Sequence, residues 1–323
     1  MKYCFFSASL FLALVYMATG VARCQAQEAV LLRYKMNEDT QLIYRTTITM
    51  TGIVKGSGLE QEVGSSQTSV TRQTLDKVDD AGHFVVREEN KQLKIRMNSG
   101  NLGEYHFDSV TGERDRGSVL AAAYGPLHDR LSGAVITVIH DQRGTLREVN
   151  GIREVVEGAL AEMTLDGEIG KKLLEEGIEE ARLRLGEQFI ELSAEAVKPG
   201  ESWKSVVTMA LPGGQQSEIE RTYTYMGPSE VSGRTTAKID VAYTLNASGR
   251  YKVAEADVES KVTIGDGAGT IHFDPSAGCI VRIETSHTAT RDITTHIGGA
   301  SVSASTEAKQ SLKVELLDEI PKS

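Results

Sequence analysis

The chain has 323 residues, of which 35 are Lys or Arg, 45 are Asp or Glu and only three are Cys, for a net charge of −10. A surface this acidic repels phosphate backbones and anionic lipid, which argues against nucleic-acid and membrane-surface partners. A chain of about 300 residues hides roughly 75% of its unfolded surface, so one sizeable core is within reach.

The N-terminus reads as an export signal. Lys2 supplies a positive start, Phe5 to Ala18 is an apolar run too short to span a bilayer, and small residues follow at Ala22 and Ala26. Cleavage after Ala22 or after Ala26 fits, and a mature chain starting at Gln27 is preferred, with residues 1–26 as signal peptide and 27–323 as a single β-rich domain. Cys24 follows the charged Arg23 rather than a small residue, which speaks against lipidation. Removing residues 1–26 takes away Lys2 and Arg23 and no acid, leaving 33 basic against 45 acidic residues and Cys279 as the remaining cysteine. The exported protein, periplasmic or extracellular, is then held by its core rather than by a disulfide. No later segment approaches the roughly 18 apolar residues of a membrane helix.

In chain order, residues 27–150 read as a first β meander. Leu42, Tyr44, Thr46, Ile48, Met50 and Val54 share one face of a long strand whose other face carries Arg45, Thr47, Thr49 and Thr51. The same alternation recurs at Leu93, Ile95 and Met97 and at Ala134, Ile136 and Val138. A short helix is expected near Ser118 to Arg130, interrupted by Pro126. The period then becomes helical, through Ile152, Val155, Val156, Ala159, Leu160 and Met163 and again through Leu174, Ile178, Ala181, Leu185 and Phe189, so a helical hairpin is expected over 151–194. Its charged side chains, among them Lys171, Glu175 and Glu179, read as a solvated helix face. Residues 198–318 form a second meander, clearest at Ala237, Ile239, Val241, Tyr243 and Leu245. Turn signals stand at Asp79–Gly82, Asp141–Gly144, Pro212–Gly214, Asn246–Gly249 and Asp274–Gly278, and Gly265–Gly269 reads as a hairpin loop.

Tyr105-His106-Phe107-Asp108 with Gly112 echoes Ile271-His272-Phe273-Asp274 with Gly278, and His140-Asp141 with Gly144 is a weaker copy. The echo reads either as a recurrent strand-to-turn solution or as the trace of two diverged halves, 28–150 and 198–318. Strand alternation places His106 and His272 opposite Phe107 and Phe273, toward solvent. The seven histidines form no zinc-ligand spacing, there is no G-x-S-x-G elbow, and Cys279 lies in an apolar strand-like stretch; no catalytic, metal or cofactor residues are nominated.

Leu31-Leu32-Arg33-Tyr34-Lys35, the strand through Tyr44, the helical middle, Lys198-Pro199-Gly200-Glu201-Ser202-Trp203 and Gly269-Thr270-Ile271-His272-Phe273-Asp274 together resemble an uncharacterised family of secreted bacterial proteins, one of the domain-of-unknown-function families. That resemblance implies export and a β-rich architecture and brings no activity or site residues. The architecture is also similar to exported carriers of lipoproteins, in which a curved antiparallel sheet forms an incomplete barrel around helices, a fold-level analogy only.

The fold class expected is therefore α+β: a long curved antiparallel sheet, an incomplete barrel, packed on a central helical hairpin. The function expected is a non-enzymatic exported protein binding an apolar ligand or another envelope protein. The alternatives are a scaffold without a cavity and a hydrolase assembled from distant strands. The candidate apolar site is lined by Leu42, Tyr44, Ile48, Met50, Trp203, Tyr223, Tyr225, Ile239, Val241 and Tyr243. A carrier would show a void of roughly 300 Å³ or more.

Overall fold

The computed structural model describes residues 28–322 apart from 57, 163–177, 179–188, 212–214 and 254–255. The strands are β1 Gln41–Gly56, β2 Leu59–Val78, β3 Phe84–Ser99, β4 Glu104–Asp108, β5 Val135–His140, β6 Leu146–Asn150, β7 Ser202–Leu211, β8 Gln215–Val231, β9 Arg234–Val253, β10 Ala256–Asp274, β11 Cys279–Ile297 and β12 Ala300–Leu317. The helices are α1 Val119–Leu131 and α2 Ile152–Glu162, with a 3-10 turn at Gly100–Leu102. The strands join in one sheet of order β6-β5-β3-β2-β1-β12-β11-β10-β9-β8-β7, with β4 beside the outer part of β3. Every pairing is antiparallel. The chain starts mid-sheet at β1, meanders out to β6, crosses to β7 at the other edge and meanders back, so that β12 closes on β1 from Ile43↔Leu317 to Gly56↔Ala304.

The sheet is open but strongly bent. His140 of β5 and Phe273 of β10 lie six strand steps apart, about 29 Å in a flat sheet. Yet both rings touch Tyr34, at centroid distances of 5.5 and 5.3 Å. Bending gives the sheet an inner face, and one large cluster joins residues from both halves there, Val86 and Val138 with Ile239, Ile271 and Phe273.

Two extended segments and α2 fill that face, which corrects the α+β expectation. The described residues are overwhelmingly strand, and among them there are two short helices and no hairpin of long ones. Of the expected second helix, 163–177 and 179–188 lie outside the described residues, residue 178 is helical, and 189–194 form neither helix nor strand. The reason is local: Phe189 and Ile190 are adjacent and both buried, an arrangement that one apolar stripe of a surface helix does not provide. Their neighbours' backbone groups are met by other segments instead. Leu192 N donates to Arg143 O at 2.8 Å, and Val30 and Val197 exchange two hydrogen bonds of 2.9 Å. The N-terminal segment is pinned likewise, through Tyr34 N to Gln142 O at 2.8 Å and Lys35 N to Gly278 O at 3.0 Å. Tyr34 Oη then accepts from Ile190 N at 3.1 Å, locking the two segments together over the core.

Helix α1 runs through Pro126 rather than stopping there. Ser118 caps its start, Oγ accepting from Ala121 N at 3.0 Å, and Leu120 and Ala121 dock on Leu93, Ile95, Tyr105 and Phe107. Packing of this kind offsets the loss of one backbone bond at proline.

Two expected turns are absent. Asn246–Gly249 lies within β9, paired with Ser260–Thr263, and Gly265–Gly269 lies within β10, where the register shifts between Ile264↔Leu245 and Gly267↔Tyr243. The glycines build a bulge, not a loop. A Cβ on Gly267 would overlap the Tyr243 ring. The Asp-opened turns do form. Asp108 and Asp274 each accept from the N–H groups two and three residues on, while Gly112 (φ 74°) and Gly278 (φ 67°) donate back to the aspartate carbonyls. Asp141 caps differently, accepting from Arg143 N and Thr145 N. The two echoed aspartates end the fourth strand of β1–β6 and the fourth of β7–β12.

Candidate functional site

The inner face is the surface on which sequence placed a site, and the structure divides it into two walls. On β8–β11 the inward positions are Tyr223, Tyr225, Ile239, Val241, Ile271, Phe273 and Ile283, all buried. On β1–β3 they are mixed: Thr46, Ser69, Thr71, Gln73 and Glu88 are buried beside Tyr44, Leu75, Phe84 and Val86, with Asn90 opposite Thr71.

The ten predicted residues share the inner face but do not converge on one chamber. Leu42 and Tyr44 border a cavity of about 10 Å³ together with Tyr34, Gln73, His140 and Phe189. Tyr223, Val241 and Tyr243 border another of about 30 Å³ with Arg221 and Thr285. Tyr225 and Ile239 are packed in the core, and Ile48 packs partly buried against it. Trp203 stacks on Tyr223 at 5.5 Å and donates Nε1–H to Glu191 O at 2.7 Å. Met50 is half-buried further out along β1. Cavities of this size hold about one or two waters, not an apolar ligand.

The polar wall escaped sequence reasoning. In β2 the run Ser69-Val70-Thr71-Arg72-Gln73 is polar on the inward side, so a search for apolar alternation passes over it. Glu88 sits between Arg87 and Glu89 and looks solvated; the available signal was that Phe84, Val86 and Glu88 share a face. Gln73 Nε2 donates to Glu88 Oε2 at 2.8 Å, but burial outweighs that bond and raises the carboxyl to about 6. Thr46 Oγ1, Thr71 Oγ1 and Asn90 Oδ1 are buried without a hydrogen-bond partner.

His140 is enclosed by Phe189, Tyr34 and Phe84, the nearest centroid 4.7 Å away. Its Nδ1 lies 2.9 Å from Asp141 O, a contact that assigns the proton to Nδ1, and Nε2 is buried without a partner. Burial lowers its pKa, so the ring stays neutral. Glu88 pairs opposite Ile136 and His140 opposite Phe84, which separates the two groups by about 13 Å along the strands, too far to act as an acid–base couple. Cys279 is buried, and its thiol is pushed up to about 11 by that burial, the opposite of an activated nucleophile. Among the described residues no three His, Cys, Asp or Glu side chains cluster to hold a metal ion, and no helix is long and apolar enough to cross a membrane.

Fold and site define an open, bent, all-antiparallel sheet whose inner face is occupied by its own chain. The chain belongs to a family of unknown function, DUF6263, whose profile matches residues 83–280. No curated protein matches it. Among solved structures it is similar to a mutant Rh. blastica porin, at 9% identity and a TM-score of 0.18 over 83% of this chain and 99% of that one. A loop-deletion mutant of OmpT, an outer membrane protein of Vibrio cholerae, gives 10% identity and 0.20 over 85% and 100%. An anion-selective porin from Comamonas acidovorans gives 9% and 0.19 over 86% and 99%. At these scores the likeness fixes neither fold nor function.

Proposed function

We propose that the mature protein is exported and acts as a non-enzymatic interaction protein that binds another envelope protein, its inner face serving as core rather than as cargo chamber. The observation that supports this reading is volume: the two cavities bordered by the predicted residues measure about 10 and 30 Å³, against the roughly 300 Å³ that a small-molecule site requires. Lys2, the Phe5 to Ala18 run and Ala26 support export, and the acidic balance speaks against anionic surfaces as partners. Separation of Glu88 from His140 and the raised Cys279 thiol both weigh against hydrolysis.

Native mass spectrometry with organic extraction, on protein purified from its own envelope, tests both parts. The expected species begins at Gln27, so that Cys24 is removed with the signal, and releases no apolar molecule, and an environment-sensitive apolar dye does not bind it saturably. Co-purified lipid or saturable dye binding would return the cargo reading, and an intact Met1 in cytoplasmic material would refute export.

A further inference from the structure

Arg221 occupies an inward position of β8, two residues from buried Ile219 on one side and buried Tyr223 on the other. Arg221 is partly buried, and a guanidinium keeps its charge at any accessible pH, so the part withdrawn from water calls for an acceptor or a counter-charge. Of the neighbouring acids, Glu220 pairs with Lys204 at 2.6 Å on the exposed face, and Glu191, whose charge reaches Tyr223, pairs with Arg143 at 2.8 Å. None of the side chains around the 30 Å³ cavity beside Arg221 is a carboxylate, and Arg221 Nε is buried without a hydrogen-bond partner.

The surroundings are arranged as donors. The Tyr243 ring lies beneath the guanidinium, its centroid 5.9 Å from Cζ, and Tyr243 Oη meets His287 Nδ1 at 2.9 Å. That reach from β9 to β11 crosses β10 at Gly267, where a side chain would collide with the ring. Burial keeps His287 neutral, and the carboxylate it senses, Asp266, accepts from Thr288 N at 2.9 Å in an exposed position. Thr285 and Tyr223, which is hydrogen-bonded to Arg221, also line the cavity, and the remaining lining residues are aliphatic.

We propose that this cavity between Arg221, Tyr243 and Thr285 binds a small monovalent anion of formate or bromide size. One guanidinium supplies one charge and a planar fork, which matches a single oxyanion or halide; a dianion would need donors that an aliphatic wall lacks. The volume sets the same limit, being larger than the ~15 Å³ that one water needs and far smaller than a drug-sized site. The site is independent of whether the protein carries cargo.

The test uses the full mature chain in buffer free of halide and carboxylate, at constant ionic strength. Sodium formate and, separately, sodium bromide are titrated while the thermal midpoint is followed, with sodium sulfate as comparison. Formate and bromide are expected to raise the midpoint saturably and sulfate not to. Crystals soaked in bromide should show an anomalous peak beside Arg221. R221K, which keeps the charge but loses the fork, should weaken half-saturation about tenfold, whereas K261Q, a surface charge removal, leaves it unchanged. If R221K does not fold, T285V takes its place with the same expectation of weakened binding. Sulfate acting as strongly as formate, a variant binding formate as the parent does, or bromide found only on the surface would overturn the proposal.

Discussion

The inner walls of β1–β3 and of β8–β11 close on the same core with opposite chemistry. On β8–β11 the strands contribute aromatic and aliphatic side chains that touch the inserted segments directly, as Phe273 touches Tyr34. On β1–β3 the equivalent positions hold Thr46, Thr71, Gln73 and Glu88, and two of those hydroxyls lack a partner. One wall is apolar, while the other sets Tyr44, Phe84 and Val86 beside the titrating carboxyl and the unsatisfied polar atoms. A long strand can be buried along its length without being apolar along it.

The sharpest way to break this contrast is to empty the apolar wall. Phe273→Ala, at a fully buried ring, should cost about 3–5 kcal/mol in a urea titration; a loss below about 1 kcal/mol would mean that the inserted segments do not depend on that wall.

Glu88 tests the polar wall. Because burial raises its carboxyl to about 6, the native state retains a proton that the unfolded chain, titrating near 4.5, has released. Its contribution is complete below that window and is lost as pH rises through about 6. Glu88→Gln, which can still accept from Gln73, should therefore leave stability unchanged at acid pH and raise it by about 2 kcal/mol at pH 7. The slope left in this variant near neutral pH is shared by His140, His272 and His287, whose lowered pKa values have the opposite sign: their stability is present above about 6.5 and falls as pH drops below it. Denaturant midpoints across pH would refute the account if the two proteins ran parallel.

A smaller effect separates orphaned from satisfied hydroxyls. Thr71→Val should be neutral or stabilising by up to about 1 kcal/mol, whereas Thr236→Val should cost about 1 kcal/mol. The Thr236 hydroxyl donates to Ser229 O at 3.2 Å, while that of Thr71 has no partner. Equal effects at both positions would erase the distinction. Least in energy is the thiol: Cys279 should label slowly in native protein at neutral pH and quickly in denaturant, and fast native labelling would place it outside the packed wall.

Much of the sheet was legible. The one-sided face of β1 followed from period-two alternation, and the Asp108, Asp141 and Asp274 turns followed from an aspartate side chain and a positive-φ glycine a few residues apart. Asn246–Gly249 and Gly265–Gly269 misled because turn-forming composition permits a turn without requiring one. Asn246–Gly249 pairs with Ser260–Thr263 and Gly267–Gly269 with Val241–Tyr243, and that pairing along β9 and β10 decided the outcome. Glu88 and Arg221 were illegible for a related reason: a charged residue in an alternating strand reads as solvated until the position of the face is known.

By itself the sequence determined that the strands are long, antiparallel and one-sided, and where the Asp-opened turns fall, because those preferences act over a few neighbouring residues. What fills the inner face was decided only in the tertiary structure. Tyr34 and Ile190 stand 156 residues apart in the chain and are joined by one hydrogen bond over a shared apolar surface. Burying two extended segments depends on partners for their backbone groups that only the bent sheet, by bringing β5 and β10 together, can supply.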